Sequence, residues 1–227
     1  MEIKEIGYLK TLFPTKFGVP RQSGVASDSV ATLIFNEEFR VKEALCDLEK
    51  YSHVWVIWGF SEAKVEKFSP TVRPPRLGGN TRVGVFASRS PFRPNSLALS
   101  VLKLEGIELD PKYGYVLKLS GADMMDQSPV YDIKPYLPFC DSIPDAKGGF
   151  TEELEDFILE VNVPEEIKSR LSPRLFACLV DTLKNDPRPS YIDTPSRVFG
   201  FFFDKYEVKF TVSNKTLTVI SLDAVNS

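Results

Sequence analysis

The sequence is poor in the residues that form covalent cross-links and metal sites. Its 227 residues include three cysteines, Cys46, Cys140 and Cys178, and a single histidine, His53. The cysteines lie far apart and one stays unpaired in any arrangement, so we expect a reducing compartment rather than a secreted disulfide framework. No CxxC or HxxxH pair is present, which argues against structural zinc or another metal. A Ser-His-Asp triad is also not expected, because core packing is the simpler role for His53.

Long hydrophobic runs and phosphate-binding motifs are missing as well. No stretch reaches the roughly 18 uninterrupted apolar residues of a membrane helix, and the N-terminal MEIKEIGYLKTLF carries charges where a signal peptide needs its apolar core. We therefore expect a soluble, cytoplasmic protein with no membrane partner. The LGGNTRVG segment at residues 77–84 has three glycines but lacks GxGxxG spacing and leads into a predicted strand, so a simple turn is favoured.

Positive charge is scarce overall but concentrated in one place. The 28 basic and 31 acidic residues leave a net charge of −3, which argues against indiscriminate coating of nucleic acid. Residues 64–93 hold seven basic residues and one acidic residue, a local charge of 7 − 1 = +6 that leaves −9 on the rest. The sequence therefore predicts one basic patch on an acidic body.

Short β-rich runs separated by turns predict a mainly β chain. One short amphipathic helix is expected at residues 41–52, where apolar residues recur at helical spacing. Repeated strands with little helix between them indicate an antiparallel β-barrel. The predicted strands cover residues 3–13, 30–35, 53–60, 83–88, 96–109, 113–125 and 130–137.

The pattern changes after PDAKGG at residues 144–149, which resembles a linker. Pro164 begins a helical stretch that Pro173 divides in two, and residues 197–222 predict three strands, the last two joined by a hairpin near Asn214. We therefore predict two domains, a β-barrel over residues 1–145 and a small α+β domain over residues 146–227.

Two polar segments stand out. In GNTRVGVFASRSPFRPNSLALS, the residues Arg82, Arg89 and Arg93 lie around a loop braced by prolines. The alternative is that these arginines form an ordinary solvated surface. Such a surface has no need of a proline-stiffened loop, so a functional role is favoured. The second segment, GADMMDQSPVYDIKPYLPFCDS, contains Asp126-Gln127-Ser128-Pro129, which alone would indicate a turn.

These segments resemble the signature blocks of the TsaA-like family, the TrmO-type tRNA methyltransferases. The blocks are PRQSG at residues 20–24, TVRPPRLGGNTRVGVFASRSPFRPNSLALSVL at 71–102, DQSPVYDIKPYLPFCDS at 126–142 and DPRPSY at 186–191. The resemblance is strong over about residues 3–145. It implies a single-sheeted β-barrel, unrelated to the Rossmann type, with a small C-terminal domain and a homodimeric assembly. It also implies binding of S-adenosylmethionine and N6-methylation of threonylcarbamoyl-adenosine at position 37 of a tRNA.

The resemblance places cofactor-binding residues in four parts of the chain. The residues that match the family pattern are Pro20, Arg21 and Gln22 in a loop, Phe60 and Ser61 at a strand end, Arg89 and Leu99 in the middle block, and Asp126, Gln127, Ser128 and Pro129 in a loop more often written DGTP. The family often has histidine near position 61 and glycine at position 127, so this chain departs from the pattern at Ser61 and Gln127.

The implied chemistry suits these residue types. Methyl transfer from a sulfonium is an in-line displacement that depends chiefly on positioning, so it needs no histidine. The threonylcarbamoyl group makes the N6 amine a urea-like N–H, whose proton Asp126 or water can accept. Arginine binds phosphate and carboxylate in bidentate fashion. The residues expected to contact the tRNA are Arg73, Arg76, Arg82, Arg93 and Lys134.

A second hypothesis comes from the departures at Ser61 and Gln127. A chain that keeps the cofactor pocket but does not transfer methyl groups would serve as an RNA-binding or regulatory module. Cofactor binding without methyl incorporation into tRNA would distinguish this module from the enzyme.

Overall fold

Two β-sheets and a few short helices make up the fold, which we describe from a computed structural model covering residues 2–63, 67–77, 80–152, 158–188 and 197–225. The elements are β1 (Gly7–Thr11), β2 (Val30–Phe35), β3 (His53–Gly59), β4 (Thr71–Val72), β5 (Val83–Gly84), β6 (Leu97–Asp110), β7 (Gly114–Ser120), β8 (Ser128–Pro135), α1 (Pro138–Asp141), β9 (Glu160–Asn162), α2 (Glu165–Lys168), α3 (Pro173–Lys184), β10 (Phe199–Phe203), β11 (Tyr206–Ser213) and β12 (Thr216–Ala224). In the described part of the chain, none of the helices is long and apolar enough to cross a membrane.

The first sheet closes into a six-stranded barrel with the strand order β1-β2-β7-β6-β3-β8. Every neighbouring pair is antiparallel. Alternation along β3 shows why these residues close a barrel, because Val54, Val56 and Trp58 point into the core while Trp55 and Ile57 lie on the half-exposed outer face. The predicted antiparallel barrel is therefore confirmed.

Strand direction determines which loops meet. Strands β1, β3 and β7 run one way and their partners β2, β6 and β8 run the other. The connections over residues 12–29, 60–96 and 121–127 therefore all leave the same end of the barrel, which we call the upper rim. Residues 36–52 and 111–113 connect strands at the opposite end.

The second sheet has the order β10-β11-β12-β9 and packs against α3. The hairpin between β11 and β12 turns at Asn214 and Lys215, whose φ values of 50° and 65° are those of a tight left-handed turn. The prediction of two helices divided at Pro173 is confirmed, since Ser172 caps α3 by accepting a hydrogen bond from the backbone N–H of Leu175 at 3.3 Å. Sequence patterns missed β9, which pairs in parallel with β12.

The loop over residues 12–29 crosses from the barrel to the second sheet. Phe13 and Ala26 are buried in the hydrophobic core of the C-terminal unit, and the rings of Phe13 and Phe203 lie 5.9 Å apart. The backbone N–H of Asp204 also donates to the carbonyl of Leu12 at 2.7 Å. A rim loop that begins and ends in the barrel is thus packed against the C-terminal unit.

Three local predictions need correction. The helix expected at residues 41–52 is wrong, because that stretch forms separate 3₁₀ turns, with Asp47 at a φ of +64° between two of them and only Leu45 buried. The strand expected at residues 83–88 ends at Gly84 and continues as a 3₁₀ turn. The first strand is shorter than predicted, covering Gly7–Thr11.

Candidate functional site

The upper rim brings together two of the sequence blocks that lie far apart in the chain. The Arg89 guanidinium donates to the Gln22 side-chain carbonyl, with 2.5 Å between Nη1 and Oε1. Gln22 belongs to the PRQ loop (residues 20–22), and Arg89 belongs to the stretch over residues 80–96 that we call the arginine segment. Both side chains are exposed, so the contact leaves polar atoms available at the surface of the rim.

The arginine segment is held by its own hydrogen bonds. The Arg93 guanidinium donates to the Ser88 carbonyl at 2.9 Å, and the Ser88 hydroxyl donates to the Val85 carbonyl at 2.9 Å. The backbone N–H of Phe60 donates to the carbonyl of Ser96 at 3.0 Å and closes the segment against the end of β3. The loop is therefore braced, as its prolines indicated.

Asp126 lies in the loop that precedes β8, where both oxygens of its carboxylate accept hydrogen bonds. One oxygen accepts from the backbone N–H of Thr11 at 2.8 Å, and the other accepts from the Gln127 side-chain amide at 3.2 Å. Gln127 has a φ of +63° and its N–H donates to the Leu9 carbonyl at 2.8 Å. A left-handed residue here explains why glycine suits this position, since glycine adopts that conformation without strain.

Ser128 and Pro129 begin β8 beside the end of β3. The Ser128 side chain is buried and its hydroxyl donates to the Met125 carbonyl at 2.8 Å. A Cβ atom on Gly59 would come within 3.3 Å of Pro129 Cγ and 2.9 Å of the Tyr131 ring, so the two strand ends approach closely because position 59 is glycine.

The other residues expected to bind the cofactor lie in different surroundings. The Phe60 ring packs on Trp58 at a centroid distance of 4.6 Å, and Ser61 is exposed beyond it. Leu99 lies on the outer face of β6, opposite Ile57, and is 52% exposed. Phe60 and Ser61 thus lie at the upper rim, whereas Leu99 lies just outside the barrel below it.

Asp123, to which sequence reasoning gave no role, lies under the rim. It accepts a hydrogen bond from the Ser100 hydroxyl at 2.6 Å, and that hydroxyl accepts one from the Trp58 indole N–H at 2.9 Å. Burial raises the pKa of Asp123 to about 6, although hydrogen bonds from Ser100 and the Ser23 N–H and the charge of Arg89 act in the opposite direction. A carboxyl with a perturbed pKa in a cleft is a candidate functional group.

Arg21 makes a contact that sequence reasoning also missed. Its guanidinium donates to the backbone carbonyls of Asp186 and Arg188 at 3.1 and 3.0 Å. Arg188 in turn pairs with Asp186 at 2.8 Å. The DPRPSY block thus meets the PRQ loop through its first residues, while residues 189–191 lie outside the described part of the chain.

The structure separates the residues expected to contact tRNA. Arg73 and Arg82 are exposed, and the Arg82 guanidinium donates to the Thr71 hydroxyl at 2.8 Å. The side chain of Arg76 lies outside the described part of the chain. Lys134 lies toward the far end of β8 and pairs with Asp132 at 2.8 Å, so the structure does not bring it to the rim.

His53 is half-buried rather than fully packed in the core. It begins β3, and its ring lies 2.9 Å from the Ser52 hydroxyl. The rim lies at the other end of this seven-residue strand, about 20 Å away. The one histidine of the chain therefore has no part in the rim.

Both parts of the chain match families of known proteins. Residues 8–142 match the tRNA-methyltransferase O N-terminal domain, and residues 152–225 match the TrmO C-terminal domain. The tRNA (adenine(37)-N6)-methyltransferase of Escherichia coli K12 is 33% identical over 230 residues, covering 98% of this chain and 97% of that protein. The protein of the same name from Eikenella corrodens is 45% identical over 176 residues, covering 77% and 98%.

Solved structures extend the likeness to the fold. A crystal structure of TrmO from Pseudomonas aeruginosa superimposes with a TM-score of 0.78 at 31% identity, covering 99% of both chains. A relative from the same species, 39% identical over 206 residues and covering 87% of both chains, is named as an S-adenosylmethionine-dependent methyltransferase. This chain belongs to the TrmO family of tRNA methyltransferases.

Proposed function

We propose that the chain transfers a methyl group from S-adenosylmethionine to N6 of threonylcarbamoyl-adenosine at position 37 of a tRNA. The observation that carries this proposal is the convergence of the PRQ loop, the end of β3, the arginine segment and the loop before β8 at one rim of the barrel. Relatives that align with 98% and 77% of the chain are named tRNA (adenine(37)-N6)-methyltransferases.

The side chains at the rim fit the chemistry of the proposed cofactor. The cofactor supplies a methyl group on a positively charged sulfur, together with an adenine ring and a carboxylate. The exposed Arg89 guanidinium suits the carboxylate, and the Phe60 ring and exposed Leu99 offer apolar surface for the adenine. The carboxylate of Asp126 suits polar groups of the cofactor. Under this proposal the PRQ loop and residues 126–129 complete the binding surface.

Positioning provides most of the catalysis in this scheme. Donor and acceptor atoms held about 3–3.5 Å apart react without the entropy cost of an encounter. The N6 proton passes to a carboxylate or to water, and Asp126 is the acceptor expected from the family pattern. Both Asp126 oxygens already accept hydrogen bonds. Each oxygen of an ionised carboxylate has two lone pairs, so an acceptor site remains on each oxygen for the N6 proton.

The arginine segment provides the surface proposed for the tRNA. Arg82 and Arg89 are exposed on it, and Arg73 is exposed in the preceding stretch. Exposed Phe86 lies between Arg82 and Arg89 in the sequence, and exposed Phe92 directly precedes Arg93. Guanidinium groups bind backbone phosphates, and aromatic rings provide stacking surfaces for unpaired bases. A loop of this composition suits an anticodon arm better than a regular duplex.

A homodimer is proposed to form through the outer face of β3 and β6. Ile57 lies opposite Leu99 there, and Trp55 lies opposite Val101. The Trp55 indole donates to Asp141 at 2.8 Å and so fixes α1 beside this face, where Phe139 is 86% exposed. Apolar side chains grouped on one outer face suit a self-complementary two-fold contact.

The division into domains at about residue 145 is likewise proposed. Its support is that the barrel and the second sheet each enclose a separate hydrophobic core. The loop over residues 12–29 belongs to the first unit in sequence, yet Phe13 and Ala26 pack in the second core. The two units are therefore expected to unfold together.

Methyl incorporation into tRNA tests the proposed function. With labelled S-adenosylmethionine, we expect incorporation into total tRNA that contains threonylcarbamoyl-adenosine and at least tenfold less into tRNA from cells that cannot make this modification. Mapping the label to position 37 would identify the nucleoside. Saturable cofactor binding with no incorporation into either tRNA would instead support the non-catalytic RNA-binding or regulatory module.

Cofactor binding should not depend on a metal ion. Across the described residues, no group of three or more His, Cys, Asp and Glu side chains is arranged to hold one. Calorimetry should give the same dissociation constant for S-adenosylmethionine before and after extensive dialysis against a chelator. A loss of binding after chelation that returns with added divalent metal would contradict this prediction.

A further inference from the structure

One half-buried carboxylate connects the inside of the barrel to two separate parts of the rim. Asp123 lies in the loop between β7 and β8, three residues before Asp126. From the observations below we propose that Asp123 is a positioning residue, whose carboxylate holds the PRQ loop and Arg89 in the geometry that binds the cofactor. The proposal rests on the proposed function, because it assumes that S-adenosylmethionine binds at the upper rim.

The barrel holds this carboxylate from below. The Trp58 indole N–H of β3 donates to the Ser100 hydroxyl of β6 at 2.9 Å, and this hydroxyl donates to Asp123 Oδ1 at 2.6 Å. Trp58 is 4% exposed and Ser100 is 2% exposed. Because the buried Ser100 hydroxyl accepts the indole hydrogen bond, its own proton is available for the carboxylate. Both hydrogen bonds therefore point from Trp58 toward Asp123.

The carboxylate faces the rim from below. The Ser23 backbone N–H acts to lower the pKa of this carboxylate, and Ser23 directly follows Gln22. The positive charge of Arg89 also acts on it, and Arg89 donates to Gln22 at 2.5 Å. Asp123 is thus linked to the PRQ loop through the adjacent Ser23 and, by charge, to Arg89, which itself contacts that loop. Under the proposal, loss of the carboxylate charge weakens both of these links.

The neighbouring backbone reinforces this link. The N–H of Gly24 donates to the carbonyl of Gly121 at 3.0 Å, two residues before Asp123. Gly121 has a φ of +81°, and a Cβ atom there would lie 3.3 Å from the Gly24 nitrogen. The loops therefore approach more closely than a larger residue at position 121 would allow, which brings Ser23 within reach of the carboxylate.

The charge state of Asp123 follows from its surroundings. Burial raises its pKa to about 6, against the action of Ser100, the Ser23 N–H and Arg89. Arg89 is the charged group that acts on it from the arginine segment. The other groups near it are neutral: Trp58 of β3, Ser100 of β6 and the backbone N–H of Ser23, which follows the PRQ loop. At pH 7.5 the carboxylate is ionised and holds its partners. Below about pH 6 it takes up a proton and releases them.

The sign of the stability effect separates this role from simple structural support. In the folded chain Asp123 keeps its proton up to a pKa of about 6, whereas in the unfolded chain it loses the proton near the ordinary aspartate pKa of 3.8. Folding stability therefore falls as the pH rises from about 4 to about 6, so the ionised form costs stability. A costly charge that the fold retains is typical of functional sites.

The experiment compares Asp123→Asn with wild type, and uses Asp145→Asn in the exposed stretch after α1 as the matched control. At pH 7.5 we expect Asp123→Asn to weaken S-adenosylmethionine binding about tenfold in calorimetry, which is the loss expected for one charge-assisted hydrogen bond. Its KM for the cofactor should rise with little change in kcat. Its thermal midpoint should exceed that of wild type at pH 8 and equal it at pH 4. The control should match wild type throughout.

A pH series on wild type supplies the second measurement, with Asp123→Asn as the comparison. Wild-type cofactor affinity should decrease as the pH falls through about 6, whereas the affinity of Asp123→Asn should stay level over that range. Ser100→Ala removes a hydrogen bond that lowers the pKa of Asp123, so the midpoint of the affinity loss should move to higher pH. This variant keeps the proposal testable if Asp123→Asn does not fold.

Several results would overturn the proposal. If Asp123→Asn bound S-adenosylmethionine as tightly as wild type, the carboxylate would have no positioning role. A lower thermal midpoint at pH 8 would show structural support, and a fall in kcat at constant KM would make Asp123 a proton acceptor. Failure of wild type itself to bind the cofactor would refute the proposed function instead, so the two failures are distinguishable.

Discussion

Replacing Arg89 with alanine should weaken S-adenosylmethionine binding about 10- to 150-fold, the range for losing a hydrogen bond to a charged group. Arg89 is exposed at the rim and touches the PRQ loop through Gln22, so its loss removes both the proposed contact to the cofactor carboxylate and a support of the loop. Methyl transfer at subsaturating cofactor should fall by the same factor. Affinity for tRNA should fall much less.

Arg82→Ala should have the opposite pattern. Arg82 donates to Thr71 within its own loop and has no contact with the PRQ loop among the described residues, so we assign it to a tRNA phosphate. Losing one phosphate contact should reduce the magnitude of the negative slope of log K against log salt by roughly 0.7–1 unit, while cofactor affinity stays near wild type.

The two arginine variants are compared by tRNA binding over a salt series beside cofactor calorimetry. Lys50→Ala is the matched control, because Lys50 lies at the opposite end of the barrel and pairs with Asp47. Equal loss of both ligands in both arginine variants would mean that the arginine segment acts as a single structural unit. The assignment of Arg89 to the cofactor and of Arg82 to a tRNA phosphate would then be wrong.

Topology explains why the sequence could suggest candidate cofactor-binding residues but not the residues that lie beside them in the fold. Each sequence block was recognisable by its residues, and the antiparallel barrel carries the connections that contain Gln22, Phe60 and Arg89 to one rim. The contacts of Asp123 with Ser100 and Ser23 depend on the pairing of β3 with β6 and on two loops of unequal length. No periodicity or motif in the sequence predicts that these residues lie side by side. The perturbed carboxyl therefore became visible only in the fold.

Local patterns failed where a single residue interrupted them. Residues 41–52 have apolar side chains at helical spacing, yet the left-handed Asp47 and the limited burial of this stretch leave it as 3₁₀ turns. Isolated helices this short need a packed face to persist. Conversely, β9 has three residues and is defined by pairing with β12, which lies more than fifty residues away. Short elements of this kind depend on tertiary contacts rather than on propensity.

Arg21 shows the same limit for the C-terminal unit. The DPRPSY block was recognisable in the sequence, but its position was not. The structure places the carbonyls of Asp186 and Arg188 on the Arg21 guanidinium. A residue assigned to the cofactor loop thus also connects the two units, so the effects of Arg21→Ala combine cofactor binding with the position of that turn.

Mixed dimers should recover activity if the two subunits share each cofactor site. Gln22 and Arg89 of one chain are in contact, so they belong to the same site. Arg93 lies further along the arginine segment, which leads into β6 and the outer face that carries Leu99. If that face forms the dimer contact, Arg93 lies beside the partner subunit and can complete the site of the partner.

The test pairs an Arg21→Ala subunit with an Arg93→Ala subunit, each of which should form a nearly inactive homodimer. In the heterodimer one site carries both substitutions and the other carries neither, so about half of wild-type activity should return. Differently tagged subunits, refolded together and purified through both tags, provide that species, and light scattering checks that it is a dimer. Arg21→Ala subunits that carry the two tags serve as the control and should stay inactive. Proven heterodimers without recovery would mean that each site is self-contained, because each would then carry one substitution, and Arg93 would act within its own chain.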